Sequence, residues 1–443
     1  MRESDNQKKS RLLVTREGVS YVLPFIVVTC CFALWGFAND ITNPMVKAFS
    51  KIFRMSVTQG ALVQVAFYGG YFCMALPAAL FIRRHSFKSG IIMGLALYAV
   101  GVLLFIPAKA MGSFAPFLIA YFILTCGLSF LETTANPYIL RMGDYETGTR
   151  RLNLAQSFNP IGSLAGMYVA MNYIQARLSP LDTAGRATLD DASFEALKQS
   201  DLSVLVQPYA LLGVVLLVLL AMMWLIPIPA VRQQAEKHHH VPLATAFKRL
   251  SANRSYVGGV VAQFFYVGAQ ITCWTFIIQY GTRVFMAQGM GEQAAEVLSQ
   301  RYNIVAMVLF CLMRFVNMYL MKFFRPGRLL AVFAALAMVL LCGVIFVGDN
   351  VGMCCLVAVS ACMSLMFPTI YGLALGNVRE DTELGSAGLI MAILGGSLLP
   401  AAQAMIIDSD MQLLPSVNAS FVVPLLCFAV VMFYGLRNSR QQV

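Results

Sequence analysis

Residues 114–140 read FAPFLIAYFILTCGLSFLETTANPYIL, and how this stretch is taken decides the fold. It is an apolar run long enough to cross the hydrocarbon core of a bilayer, which asks for about 20 residues of helix. Its one formal charge is Glu132, and no charged residue precedes it back to Phe114. A charge at bilayer depth costs about 3 kcal/mol even on the mildest scales. Glu132 therefore carries a proton, meets a partner, or faces a water-filled cavity. The competing reading ends the helix early and rests Glu132 among lipid headgroups, which the uncharged run before it argues against. An acid inside hydrocarbon marks a functional site.

The rest of the chain agrees with a membrane reading. Of 443 residues 59% are hydrophobic and 12% charged, with a mean hydropathy of +0.71. Soluble domains carry about a quarter charged residues. The net charge of +11 does not point to nucleic acid, because the basic residues sit in short clusters between apolar runs, as in cytoplasmic loops facing anionic lipid. Most of the 11 cysteines lie inside apolar runs with no C-x-x-C spacing, so they read as small buried hydrophobes rather than a metal or disulfide framework. No metal site or cofactor is expected. The first apolar run is too long for a cleavable signal peptide and is expected to remain as a span.

Twelve apolar runs can be marked, at about 22–47, 60–82, 89–108, 113–140, 153–176, 203–227, 256–286, 297–321, 328–347, 351–377, 385–407 and 417–436. The expected fold is an all-α integral membrane protein of twelve transmembrane helices in two six-helix pseudo-repeat bundles. Residues 1–21 form a tail, 22–227 the first bundle, 228–255 a basic linker and 256–443 the second bundle with its short tail. Placing both termini in the cytoplasm puts most of the 32 Lys and Arg on the inner side, as the positive-inside rule demands. Lys47, Lys51 and Arg54 dissent, falling on the outer side of the first hairpin. The acids Asp182, Asp190, Asp191, Glu195 and Asp201 are expected in an outer loop between spans five and six. The halves echo each other: basic turns join spans two and three (Arg83, Arg84, Lys88) and eight and nine (Arg325, Arg328), and spans four and ten carry Pro137 and Pro368. Two parallel six-helix repeats describe a major-facilitator-type transporter.

Sorted onto this topology, two of the 21 acidic residues fall inside spans, Glu132 and Asp40, together with one base, Arg314. Asp40 sits outward of the midplane and Glu132 inward, roughly 10 Å apart along the normal at the helical rise. That separation suits a relay or two access gates rather than a shared proton. A structural reading of Asp40, as a helix-end residue before Pro44, stands beside the functional one. Amides gather in the same half: Gln156 and Asn159 share a helix face by their spacing of three, with Asn153 nearby. Gln263, Gln270 and Trp274 line one face of span seven, and Asn317 follows Arg314 in span eight. Acids, amides and a flat aromatic surface suit a sugar, whose hydroxyls need donors and acceptors and whose ring face needs an apolar plane. For each amide taken singly, hydrogen bonding between helices is the alternative. A cavity carboxyl can couple solute to proton if only the loaded and empty carriers switch access. Sodium would want several oxygen ligands close together.

The strings LWGFAND at 34–40, LETTANPY at 131–138, RLNLAQSFNP at 151–160 and QFFYVGAQITCW at 263–274 resemble the fucose–proton symporter family of the major facilitator superfamily, over about 21–436. The resemblance implies a monomeric multi-pass permease of the bacterial inner membrane, both termini cytoplasmic, that imports L-fucose or a related hexose with a proton. It places Glu132 on the family's cavity glutamate and Gln156 and Asn159 on sugar-contacting amides. The first span departs from the pattern: the best-known members have the acid where this chain has Asn43, and asparagine at the place of Asp40. Phe367 stands where the best-known member has tyrosine. The expected site is thus Glu132 and Asp40 for proton coupling, both also at the sugar together with Asn43, Gln156, Asn159, Gln270 and Trp274, and Arg314 as a charge partner. Relatives that carry glucose and galactose with a proton or sodium form the alternative. A membrane-embedded enzyme would want a nucleophile or metal cluster, yet His85 and His238–His240 lie in loops, and a sensor would want an added output domain.

Overall fold

The computed structural model describes Leu13, 20–42, 45–55, Gln59, 62–142, 147–179, Leu181, 185–186, 188–226, 242–376, Val378, 381–407 and 415–439. Asn43, the His238–His240 run and most of the tail lie outside the described residues. The first half runs α1 (Val22–Thr42) with its short continuation α2 (Met45–Ile52), α3 (Leu62–Arg84), α4 (Phe87–Leu103) prolonged by α5 (Phe105–Met111), α6 (Phe114–Arg141), α7 (Gly148–Gln156) with α8 (Asn159–Val169), and α9 (Asp191–Leu225). A linker helix α10 (Leu243–Ala252) leads to the second half: α11 (Arg254–Ala287), α12 (Glu292–Leu320), α13 (Pro326–Phe346), α14 (Asn350–Met363) with α15 (Met366–Gly376), α16 (Thr382–Met391) with α17 (Gly395–Ile407), and α18 (Ser416–Ser420) with α19 (Val422–Arg437).

Eleven of these helical stretches are long and apolar enough to cross a bilayer. The fifth span is the exception because it is made of pieces. Pro160 denies the backbone a donor, so α7 ends at Gln156, Ser157 and Phe158 keep right-handed dihedrals, and α8 resumes at Asn159. A π-helical turn, Ala170–Gln175, then closes the column. Span eleven is likewise divided by a 3-10 turn, Ala392–Leu394.

Backbones in the first half approach too closely for side chains at some crossings. A Cβ on Gly162 would stand 1.7 Å from the Ala33 carbonyl oxygen, and one on Gly36 would stand 2.0 Å from that of Asn159. Spans one and five are thus held backbone to backbone, and Ser163 Oγ and Asn159 Nδ2 add hydrogen bonds to the carbonyls of Gly36 and Phe32. Small residues are the usual means of such contact in membranes.

The two halves meet towards the end that carries the basic turns, here called the inner end. There α16 packs on α3 and α6, and α15 packs on α7. A Cβ on Gly372 would stand 2.5 Å from Thr149 Oγ1, so α15 and α7 can close only over a glycine. Arg141 at the end of α6 reaches Glu383 in the first turn of α16 at 3.0 Å, an acid at a helix N-terminus and a base at a C-terminus, as both dipoles favour. Asp381, just before α16, takes Arg249 of the linker helix at 2.9 Å.

Several buried charges escape the pattern expected from sequence. Arg151 is fully buried because it caps the end of α6: Nε donates to the Ile139 carbonyl at 3.1 Å and an Nη to that of Leu140 at 2.9 Å. Between spans five and six, Asp191, Glu195 and Asp201 of the expected acidic loop belong instead to the first turns of α9, and Asp182 lies outside the described residues. Asp190 caps that helix by accepting from the Ser193 amide, and Asp201 forms a buried ion pair with Arg186. Two of the dissenting outer cations, Lys51 and Arg54, have carbonyl partners there. Lys51 donates to Ser179 O at 2.6 Å, while Arg54 donates to Arg186 O and lies 3.5 Å over the Phe194 ring. Their job at this end is to pin α2 to the hairpin between spans five and six, which is why they stand against the charge rule.

Candidate functional site

Glu132 is buried on α6. Among the described residues the buried acids are Glu132, Asp201 and Asp381; the last two hold arginines. Oε2 of Glu132 has no hydrogen-bond partner among the described residues. The carbonyl of its neighbour Thr133 accepts from Ser386 Oγ of α16 at 2.8 Å, and Ser386 Oγ also bonds the Tyr371 hydroxyl of α15, so the acid stands where the halves meet, with Tyr71 of α3 bordering α6 on its own side. Tyr71 is held from its own side: its hydroxyl accepts from Trp35 Nε1 at 2.7 Å, and its carbonyl accepts from Ser129 Oγ at 2.9 Å.

From Glu132 a polar chain crosses to the other half. Asn136, one turn on, donates Nδ2 to the Glu132 carbonyl at 3.0 Å. Its Oδ1 accepts from Gln156 Nε2 at 2.8 Å. Gln156 in turn accepts from an Arg314 Nη, at 2.6 Å through its backbone oxygen and 3.3 Å through Oε1. Proline explains the shorter contact. Pro160 has no N–H to offer the carbonyl four residues earlier, which is that of Gln156, and Arg314 supplies the missing donor from span eight. Arg314 is buried, lies 4.9 Å over the Phe310 ring, and keeps Nε without a described partner. In this conformation it engages Gln156, and no ion pair joins it to Glu132, where the sequence reading expected a charge partner.

The remaining expected residues divide. Asn159 is half-buried, and its Nδ2 bonds the Phe32 carbonyl at 3.2 Å, so the amide helps hold span one to span five. Trp274 donates to Ser360 Oγ at 3.2 Å and stacks edge-on with Phe310 at 5.0 Å. Gln270, on the same helix, is half-buried. Asp40 is half-buried in the last turn of α1. Asn43 falls outside the described residues. Sequence reasoning passed over Asn136, Tyr71, Tyr371 and Ser386. Asn136 had a signal, its spacing of four from Glu132; the tyrosines and the serine had none, because only packing brings them to the acid.

A buried carboxyl with no cation among the described residues, linked through the amides of Asn136 and Gln156 to a base of the other half, can take up a proton where the two halves meet. The model of the Major Facilitator Superfamily matches residues 28–401. The chain belongs to the major facilitator superfamily. Within it, the chain is similar to the L-fucose-proton symporter of Haemophilus influenzae, at 47% identity over 423 residues, covering 94% of this chain and 96% of that one. It is 31% identical to the glucose/galactose transporter of Brucella abortus over 424 residues, 95% of each chain. A crystal structure of the major-facilitator transporter FucP in the outward conformation aligns with a TM-score of 0.84 and 31% identity, over 95% of this chain and all of that one.

Proposed function

We infer that this chain is a proton-coupled symporter that carries L-fucose or a closely related hexose by alternating access. The observation that carries the reading is Glu132: a buried acid with no cation, joined through Asn136 and Gln156 to the opposite half. A site that spans both halves feels any relative motion of the two. Occupancy by proton and sugar can therefore bias which end is open, as coupling requires. The closed inner end corresponds to a carrier open outward, and the likeness to FucP in the outward conformation supports that state.

Glu132 is the proposed coupling acid, with Asp40 as an outer station nearer the far end of α1. Gln156, Asn159, Gln270, Trp274 and Asn43 are proposed sugar contacts, the amides pairing with hydroxyls and Trp274 with the apolar ring face. Arg314 competes for Gln156 until sugar arrives. The chain works in the bacterial inner membrane with both termini in the cytoplasm, the side to which the basic turns belong. A single copy suffices, since its own two halves enclose the site. The closer similarity to the fucose carrier than to the glucose/galactose carrier, 47% against 31%, favours fucose.

The test is a pH electrode in a lightly buffered suspension of de-energised cells expressing the chain. L-Fucose should alkalinise the medium, and glucose and galactose should do so less. A response to glucose or galactose alone would reassign the sugar. Uptake that needs sodium and moves no protons would reassign the ion.

A further inference from the structure

Among the carbonyls of the first half that prolines leave without an intrahelical donor, two are bonded by side chains of the second half. Pro137 cannot donate to the carbonyl four residues earlier, Thr133. Ser386 Oγ of α16 donates to it at 2.8 Å. Pro160 likewise frees Gln156, and Arg314 of α12 takes that oxygen at 2.6 Å. Thr133, Gln156 and Ser386 are buried, so each freed oxygen would be unsatisfied if its visiting donor were removed without admitting water. A buried unpaired group of this kind costs about 1–3 kcal/mol.

We propose that the Thr133 and Gln156 carbonyls are the sockets into which the second half docks when the inner end is closed, with Ser386 and Arg314 as their positioning residues. The Ser386 hydroxyl has one hydrogen, given to Thr133; the Tyr371 hydroxyl, which also bonds Ser386 Oγ, must then donate to it. Tyr371, Ser386 and Thr133 thus form one directed chain across the interface, ending beside the residue that carries the acid. In the inner-open state the same two oxygens face the cavity, where water or sugar hydroxyls replace the lost donors. The prolines therefore make the seal reversible: a carbonyl bonded within its own helix has no need of a partner from the other half. This rests on the transporter reading above, but its test needs neither sugar nor a proton gradient, so a wrong substrate and a failed socket give different results.

The experiment is hydrogen–deuterium exchange on the full chain in lipid nanodiscs, comparing inner peptides (134–142 and 382–391) with outer peptides (45–52). Ser386→Ala removes the visiting donor, Tyr371→Phe removes the bond that orients it, and Pro137→Ala restores a competing donor inside α6. Each should raise exchange at both inner peptides several-fold and leave the outer peptide unchanged or slower. Ser386→Ala combined with Pro137→Ala should do no more than either alone, since both empty one socket. Ser386→Thr, which keeps the hydroxyl, should match the wild-type chain. In transport, the loosened variants should show a raised external KM, because fewer carriers face outward, with exchange of sugar for sugar at least as fast. Wild-type exchange at the inner peptides, additive effects in the double variant, failure of Ser386→Thr to restore protection, or a rise spread over the outer peptide would each overturn the proposal.

Discussion

At the scale of single residues, the contrast between the buried acids is the informative one. Asp201 and Asp381 are ion-paired with arginine. Glu132 has no such partner among the described residues. Glu132→Gln keeps the shape and the backbone bond from Asn136 but cannot release a proton. It should abolish uphill, pH-driven accumulation while leaving sugar-for-sugar exchange measurable in the same vesicles; normal accumulation would remove the residue from coupling. Asp40 stands one turn from where the best-known relatives carry their acid. Asp40→Asn should therefore lower net transport more than Asn43→Ala does, measured as initial uptake rate. The reverse ranking would return the role to position 43.

At the scale of elements, spans one and five are a single unit. Gly162→Val would force a side chain into the Ala33 carbonyl, at 1.7 Å from the new Cβ, and overpacking of this sort costs roughly 1–3 kcal/mol or more. The expected result is a lowered melting temperature in detergent and little correctly folded protein. The outer hairpin depends on another kind of force. Arg186 and Asp201 are almost wholly buried, and breaking such a pair strands a charge, at about 3–5 kcal/mol. Asp201→Asn should melt well below the parent chain, whereas Glu195→Gln, removing an exposed partner of Lys198, should change stability by no more than about 1 kcal/mol. The pair of substitutions separates burial from charge count, both being outer-end acids of α9.

For the whole molecule the quantity at issue is the balance between inner-closed and inner-open forms. Arg141 and Glu383 are partly exposed, at 29% and 15% of the side chain, so their pair adds little to unfolding stability. It joins opposite halves, however, and its full effect falls on the conformational balance. Arg141→Glu, which sets two acids face to face, should shift the carrier towards the inner-open form without lowering the melting temperature appreciably. A raised external KM for sugar with unimpaired exchange would report that shift; an unchanged KM would show the pair to be ornamental.

Much of this architecture is legible in the sequence. Hydropathy marked the apolar columns, because every spanning segment must satisfy its backbone internally and cover it with apolar side chains. The lone acid in residues 114–140 was visible for the same reason, as was the likeness carried by the segments around Glu132 and Gln156. Other features were hidden because they depend on which helices touch. Arg151 and Arg186 carry no mark in the sequence that sets them apart from the other basic residues, yet each is buried against the carbonyls of a helix end or an acid. Arg314 looked like a match for Glu132 by charge, but the shape of the bundle gives it to Gln156. The composition of a span determines that it lies in oil and what it cannot leave unpaired there. Which donor comes to the carbonyls freed by Pro137 and Pro160 is decided only when the two halves close, since that partner arrives from more than a hundred residues away along the chain.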